Sequence, residues 1–311
     1  VLRHARTVGD IPLQALMVAS PEDGDRARTV ADEAFAQFSR TLDEMVGPEG
    51  AVNRINRDAG VAPVAVSPDA FAALSEALRI CILTDGAFDP TAAAYEGLWA
   101  FGATNTLPAP EDLARRTALV DCRQLVLDSV TRTAFLKKPG MRLTLWDLPR
   151  AMALDRALAV LRNKGFGDAI IYAGGDLVVS GHKAGRRWMV GVQDPRGQGH
   201  FAALPVQGGA VFTCGDYEQS FFDRGRRMHS VLEPRSGLPA RSVRSATVLA
   251  PGSVEAAALS RAVFILGPDR GMKLVQRLPN VEAVMVDDHN RVLVTRGVQA
   301  SIRHRPPTDG P

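Results

Sequence analysis

The sequence predicts an α+β protein in which helices pack on a mixed sheet. Three observations carry that prediction. Apolar runs of strand length mix irregularly with stretches of helical periodicity, without the steady strand–helix–strand rhythm of a doubly wound sheet. Residues able to do chemistry come from both halves of the chain. No repeat or linker divides it. One unit over residues 1–302 with a flexible tail at 303–311 is therefore expected, although 311 residues admit two domains on length alone.

The elements follow in order. Residues 11–19 read as an apolar strand. Pro21, Glu22 and Asp23 open a long helix in which Val30, Ala34, Phe38, Leu42 and Met45 recur at three-to-four spacing, and Gly47, Pro48 and Gly50 end it. Residues 53–57 read as a polar loop and residues 61–66 as a short strand. Ser67 caps a helix with Pro68 at its first position, and Phe71, Leu74, Leu78 and Ile82 stack on one face. The pattern is weak over 103–140 and resumes with a short strand at 143–145. A helix at 150–163 runs through Leu154, Leu158 and Leu161 to a stop at Gly165. Residues 169–172 form a buried strand ending at Gly174-Gly175-Asp176, and residues 177–193 a hairpin turning near 183–185. Strands recur at 209–213 and 244–250. Ser253 caps a helix through Leu259, Val263 and Leu266, Pro268-Asp269 starts another, and 281–286 with 292–295 close as a hairpin.

Composition excludes several classes. A chain 46% hydrophobic and 23% charged buries enough apolar surface to fold. Aromatics at 6% are too few for a single-stranded nucleic-acid platform, and no apolar run is long enough to span a bilayer. Net charge is only +3, but arginines crowd locally: Arg186, Arg187 and Arg196, then Arg224, Arg226, Arg227, Arg235, Arg241 and Arg244. Arginine grips planar and phosphate anions, while on count alone a solvated basic rim accounts for them. Cys81, Cys122 and Cys214 match no zinc spacing and no disulfide framework, and Cys81 reads as core.

Chemistry concentrates in three clusters. In Thr84-Asp85-Gly86-Ala87-Phe88-Asp89-Pro90-Thr91 two carboxylates flank a glycine and an aromatic, in a turn that reads as a rigid anchor. In Phe212-Thr213-Cys214-Gly215-Asp216-Tyr217-Glu218 small residues allow a ligand to approach the backbone closely. Residues 229–237 begin with His229, a candidate general base among arginines, and carry Glu233.

These clusters, in this order, resemble the FAD:protein FMN transferase (ApbE) family over residues 53–294. Thr84 to Thr91 match its TDGxFDPT segment, and Leu98-Trp99-Ala100-Phe101-Gly102 its LWGFG. Gly174-Gly175-Asp176, Asp194-Pro195-Arg196, Cys214-Gly215-Asp216-Tyr217-Glu218 and the turn from His229 to Gly237 match further segments. The resemblance implies an ApbE-like, T-fold-like α+β architecture. It implies a protein that binds FAD (or FMN) and, with Mg²⁺, moves FMN onto a Thr or Ser of a target flavoprotein, or hydrolyses FAD to FMN and AMP. It places His229 and Asp89 as catalytic. It places Thr91, Trp146, Arg150, Gly174, Gly175, Asp176, Thr213, Cys214, Gly215, Asp216, Glu233 and Arg261 around the flavin nucleotide.

Two segments depart from the family. Its GGIAKG segment falls on Trp146-Asp147-Leu148-Pro149-Arg150-Ala151, and its metal-binding DALSTA on Ala257-Ala258-Leu259-Ser260-Arg261-Ala262. Ala257 and Arg261 replace the metal ligands, and Glu255 points to another helix face, so no metal set is expected. The reading is an FMN transferase with weakened or lost activity. The alternative is a non-transferase relative that binds a flavin or other ligand, acts as a scaffold, or carries new chemistry in a remodelled pocket. Members of the family commonly work outside the cytoplasm behind a removed leader. The opening at Val1 is compatible with that and with a cytoplasmic location. The family's opening strand has Val8-Gly9-Asp10 in its place, and nothing in the sequence bears on oligomeric state.

Overall fold

The computed structural model describes residues 1–102, 104–299, 303, 304, 307 and 308. Its strands are β1 (Leu2–Val8), β2 (Ile11–Met17), β3 (Val64–Ala65), β4 (Leu125–Asp128), β5 (Thr133–Leu136), β6 (Ala169–Ala173), β7 (Asp176–Ser180) and β8 (Trp188–Gln193). There follow β9 (His200–Val206), β10 (Gly209–Gly215), β11 (Ser220–Asp223), β12 (Arg226–His229), β13 (Val243–Ala250), β14 (Glu282–Asp287), β15 (Val292–Val294) and β16 (Arg303–His304). The α-helices are α1 (Gly24–Val46), α2 (Ala51–Arg57), α3 (Pro68–Leu83), α4 (Pro110–Thr117), α5 (Leu148–Asn163), α6 (Ser253–Val275) and α7 (Arg296–Gln299).

The expected α+β class holds, with an antiparallel sheet at its centre in the order β1-β2-β6-β7-β10-β13-β14-β15. Period-two alternation lets its inner strands feed two cores at once. Ala169, Ile171, Val178, Phe212 and Met285 point into a large core shared with α1, α5 and α6. Ile170, Leu177, Val179, Val211 and Val284 point the other way, into a smaller core under the β16-β9-β8 sheet with Trp188, Val190 and Phe201. Helices, eight-stranded sheet and three-stranded sheet thus form three layers. β3-β5-β4 and the β11-β12 hairpin are separate small sheets.

Several expectations are corrected. Residues 53–57 are helical, within α2, which buries Ala51, Val52 and Ile55. Residues 143–145 make no strand: Leu143 is bound instead to the Asn56 side-chain amide at 2.6 and 2.9 Å. Residues 177–193 are not one hairpin, because β7 and β8 belong to different sheets and face each other across the smaller core. On α3 the buried face is Ala70, Ala73, Leu74, Ala77 and Ile80, while Ile82 is 65% exposed. Small alanines let α3 approach α6 closely, which rotates the larger apolar residues outward. Ser253 does not cap α6. Its hydroxyl donates to the Ala151 carbonyl and to Asp155, tying α6 to α5. Ser67 does cap α3 through the Ala70 amide, and Gly267 (φ 78°) breaks α6 just before Pro268.

The cysteines also differ from expectation. Cys81 and Cys122 form a disulfide across 41 residues, linking the end of α3 to the short 3₁₀ turn at Cys122–Gln124. Their spacing fits no familiar framework because α3 and that turn are brought together by the fold, not by local sequence. Val8-Gly9-Asp10 makes the β1–β2 turn, with Gly9 at φ 62°. Of the expected tail, Arg303–His304 pair with β9, and Thr308 donates to Asp194 through its backbone and hydroxyl. Pro307 accepts from the Asn290 side-chain amide, and residues 305, 306 and 309–311 lie outside the described residues.

Candidate active site

The Thr84–Thr91 cluster ends α3 through its own side chains. The Thr84 hydroxyl donates to the Ile80 carbonyl at 2.7 Å and accepts from the Phe88 amide. Asp85 (φ 51°) and Gly86 (φ 77°) then reverse the chain. Asp89 was expected beside the histidine as a catalytic group. Here it is 5% exposed, with one oxygen accepting from the Thr91 amide and hydroxyl and the other from the Cys122 amide. Thr91, expected near the nucleotide, accepts from the Asp121 amide as well. Burial pushes the Asp89 carboxyl up against these stabilising bonds. Both residues are thus engaged in anchoring the loop that carries the disulfide.

The same segment braces the third cluster. The Tyr95 hydroxyl donates to the Pro234 carbonyl, the Trp99 indole to the Gly237 carbonyl, and Arg235 to the Asp85 carboxylate. Gly237 sits at φ 68°, and a Cβ there would lie 2.5 Å from the Tyr95 ring. Glu233 is exposed and accepts from the Ser236 hydroxyl across that turn. Tyr95 escaped the sequence reading, as did the bracing contacts of Trp99 and Arg235. Their partners are mostly backbone carbonyls, which leave no pattern in sequence.

His229 ends β12 and is 4% exposed. Its Nε2 donates to the Ala240 carbonyl at 2.9 Å, so Nδ1 is the bare nitrogen and accepts from the Val231 amide at 3.3 Å. The ring packs edge-on against Phe264. Burial lowers its pKa, so the imidazole is held neutral with both nitrogens engaged.

The departures from the family converge on one another. Trp146 stands in the left-handed region (φ 44°) just before α5 and packs against Phe88. The guanidinium of Arg261, from α6, lies 4.6 Å from the centre of the Trp146 indole. Its Nε is buried with no hydrogen-bond partner. Arg150, one turn into α5, bridges Asp147 at 2.7 Å and Asp176, and its Nε is likewise without a partner. Asp176 follows the Gly174-Gly175 turn (φ 60° and 100°), which carries the chain from β6 to β7. It also accepts from the Thr213 amide at 3.0 Å. Burial pushes this carboxyl up to about 7, opposed by Arg150.

The β10 residues complete this wall. The Thr213 hydroxyl pairs with that of Thr247 at 2.8 Å. Cys214 is buried, its thiol pushed up to about 12 by burial, which leaves it inert as a nucleophile. A Cβ at Gly215 would lie 2.3 Å from the Tyr217 ring, so a side chain there would displace that ring. Asp216 is bidentate with Arg196 at 2.6 and 2.7 Å, both nearly buried.

The two side chains at the positions where the resemblance puts metal ligands offer no oxygen donor. Ala257 is buried and offers no donor, Arg261 brings a positive charge, and Glu255 is paired with Arg79 at 2.9 Å. Among the described residues two groups of three lie elsewhere: Asp89 with Cys81 and Cys122, whose sulfurs are tied up in the disulfide, and Asp287, Asp288 and His289. Two cavities flank the predicted residues. One, of 470 Å³, lies by the disulfide between Asp89 and Arg235, and the other, of 570 Å³, between β12 and residues 238–244.

Comparison with known proteins gives a consistent picture. A sequence model of the ApbE family matches residues 10–285, further toward the N-terminus than the motifs alone reach. An FAD:protein FMN transferase of Treponema pallidum is 31% identical over 273 residues, covering 82% of this chain and 75% of that protein. One from Klebsiella pneumoniae is 30% identical over 251 residues, covering 79% and 78%. The crystal structure of an ApbE protein from Thermotoga maritima superposes with a TM-score of 0.84 at 25% identity, covering 96% of this chain and 98% of that one. The flavin transferase ApbE of Vibrio cholerae gives 0.81 at 21% identity over the same shares, a likeness of fold.

Proposed function

This chain belongs to the ApbE family, and from that premise we propose that it is a flavin transferase acting on FAD without a divalent cation. The carrying observation is the half-buried Arg261 side chain, packed over Trp146 with its buried Nε lacking an acceptor, at the place where the family resemblance puts metal ligands. Arg261 and Arg150 supply the positive charge that a diphosphate needs. Arg261 already covers one face of the indole, so an incoming flavin or adenine ring competes with it for Trp146 and frees it toward the phosphates.

In the transfer itself a Thr or Ser oxygen of a target protein attacks the FMN-side phosphorus. The bond to the bridging oxygen breaks and AMP leaves. The hydroxyl proton requires a base, and His229 can accept it at Nδ1 only after releasing the Val231 amide. Guanidiniums neutralise phosphate charge without the rigid in-line clamp of a metal ion, so transfer is slow.

A second reading, FAD binding without transfer, is favoured by one observation: both His229 ring nitrogens are held by backbone groups. The readings separate on whether an acceptor protein gains the mass of FMN. Flavin fluorescence in EDTA tests the binding they share. FAD affinity should be the same with and without Mg²⁺, and Arg261→Ala should weaken it about tenfold, equivalent to roughly 1.4 kcal/mol. Mg²⁺-dependent transfer by the unaltered protein would overturn the proposal. Mg²⁺ dependence appearing only in Ala257→Asp with Arg261→Thr supports it.

The disulfide bears on location. A bridge of this kind persists in oxidising compartments, which supports a site of action outside the cytoplasm. No helix among the described residues is long and apolar enough to cross a membrane.

A further inference from the structure

The arginine crowding seen in the sequence gathers around the 570 Å³ cavity between β12 and residues 238–244. Arg196, Arg226, Arg227, Arg241 and Arg244 line it, against the carboxylates of Asp216 and Asp288. Asp216 is consumed by Arg196 in a nearly buried bidentate pair, and that arginine's Nε is buried without an acceptor. Arg227 is set by the Ser220 hydroxyl and the Phe222 ring. Its pKa is lowered by burial and then by the neighbouring charge of Arg196, so like charges are crowded here. Arg226 and Arg241 are exposed and have no ion pair among the described residues. A solvated rim does not need a concavity or a buried guanidinium with a donor left over.

The backbone adds a second argument. All four residues of β12 line the cavity, and among the described residues β12 pairs with β11 alone. β12 ends at His229. We propose that this cavity docks an acidic segment of the acceptor polypeptide, laid along the outer edge of β12 as an added strand. Main-chain bonds supply affinity and the arginines select acidic side chains. The strand's end delivers a hydroxyl beside His229. The inference rests on the transferase reading in requiring a polypeptide acceptor. Apolar lining favours a polypeptide over a small phosphate: Met228 and Leu238 line the cavity, and Leu238 is 40% exposed.

Fluorescence anisotropy of a labelled short peptide, one threonine flanked by aspartates and glutamates, tests this on the full chain without FAD. The proposal expects binding that weakens with salt, and at least tenfold weaker binding of the asparagine and glutamine counterpart. Arg226→Glu with Arg241→Glu, both surface changes, should abolish binding while the thermal transition stays in place. Equal binding of both peptides, or unchanged binding by the double variant, overturns the proposal. So does pyrophosphate binding at this cavity, blocked by the double variant, with no peptide binding. FAD affinity of the unaltered protein is read separately. Peptide binding without FAD binding defeats the transferase reading alone, and FAD binding without peptide binding defeats the docking alone.

Discussion

Two regions of this molecule have diverged from the family to different degrees, and they do different work. The Thr84–Thr91 segment keeps the family's residues, and the turn at 233–237 follows its pattern with Glu233 and Ser236 in place of an aspartate and a threonine. Thr84, Asp89 and Arg235 in these segments, and Tyr95 and Trp99 beside them, bond to backbone groups of the chain itself. The region around Trp146 and Arg261 has lost the family's residues and retains buried guanidinium nitrogens with no acceptor. Of these two regions, the first is bonded to the chain itself and the second has donors left over.

The comparison breaks most readily at the disulfide. Cys81→Ser with Cys122→Ser should cost about 4 kcal/mol, the chain entropy of a loop of this length. Urea unfolding measures it, and FAD affinity should change little at denaturant-free conditions. A large loss of affinity with small loss of stability would place the first region in the binding site after all.

Gly237→Ala comes next. It forces an alanine to a positive φ and drives its Cβ into the Tyr95 ring, for an expected loss of about 2–3 kcal/mol. Retained stability would mean that the turn is not braced by Tyr95 and Trp99.

The last comparison is the pH response of the second region. Asp176 is raised from 3.8 to about 7, so the folded chain holds its proton more tightly than the unfolded one does. That contribution to stability is complete below 3.8 and is lost as pH rises through about 7. His229, lowered from 6.5, acts with the opposite sign, gaining stability as pH rises toward that value. The comparison of the unaltered chain with Asp176→Asn isolates the carboxyl. FAD affinity of the unaltered chain should rise several-fold as pH falls through about 7, because a neutral Asp176 releases Arg150. The Asn variant should show no such rise, and a parallel rise in both would remove Asp176 as its source.

Much of the fold was legible because alternation and helical periodicity are properties of sequence. The strands at 209–213 and 244–250, the break at Gly267 and the Ser67 cap all follow from local residue choice. What escaped depends on distant partners. The face of α3 is decided by α6, and the split of β7 from β8 by the second sheet. At the site, the departures at 146–151 and 257–262 were visible as substitutions. That Trp146 and Arg261 are one pair was not, since only the packing of α6 beside α5 brings them together.

The bridge between Cys81 and Cys122 spans a stretch whose residues 104–107 are exposed. A protease cutting there leaves two fragments tethered by sulfur. The nicked chain migrates as one species on a gel until thiol is added, and Trp99 stays docked on its carbonyl although the peptide beyond it is severed. Intactness of this protein has to be judged under reducing conditions.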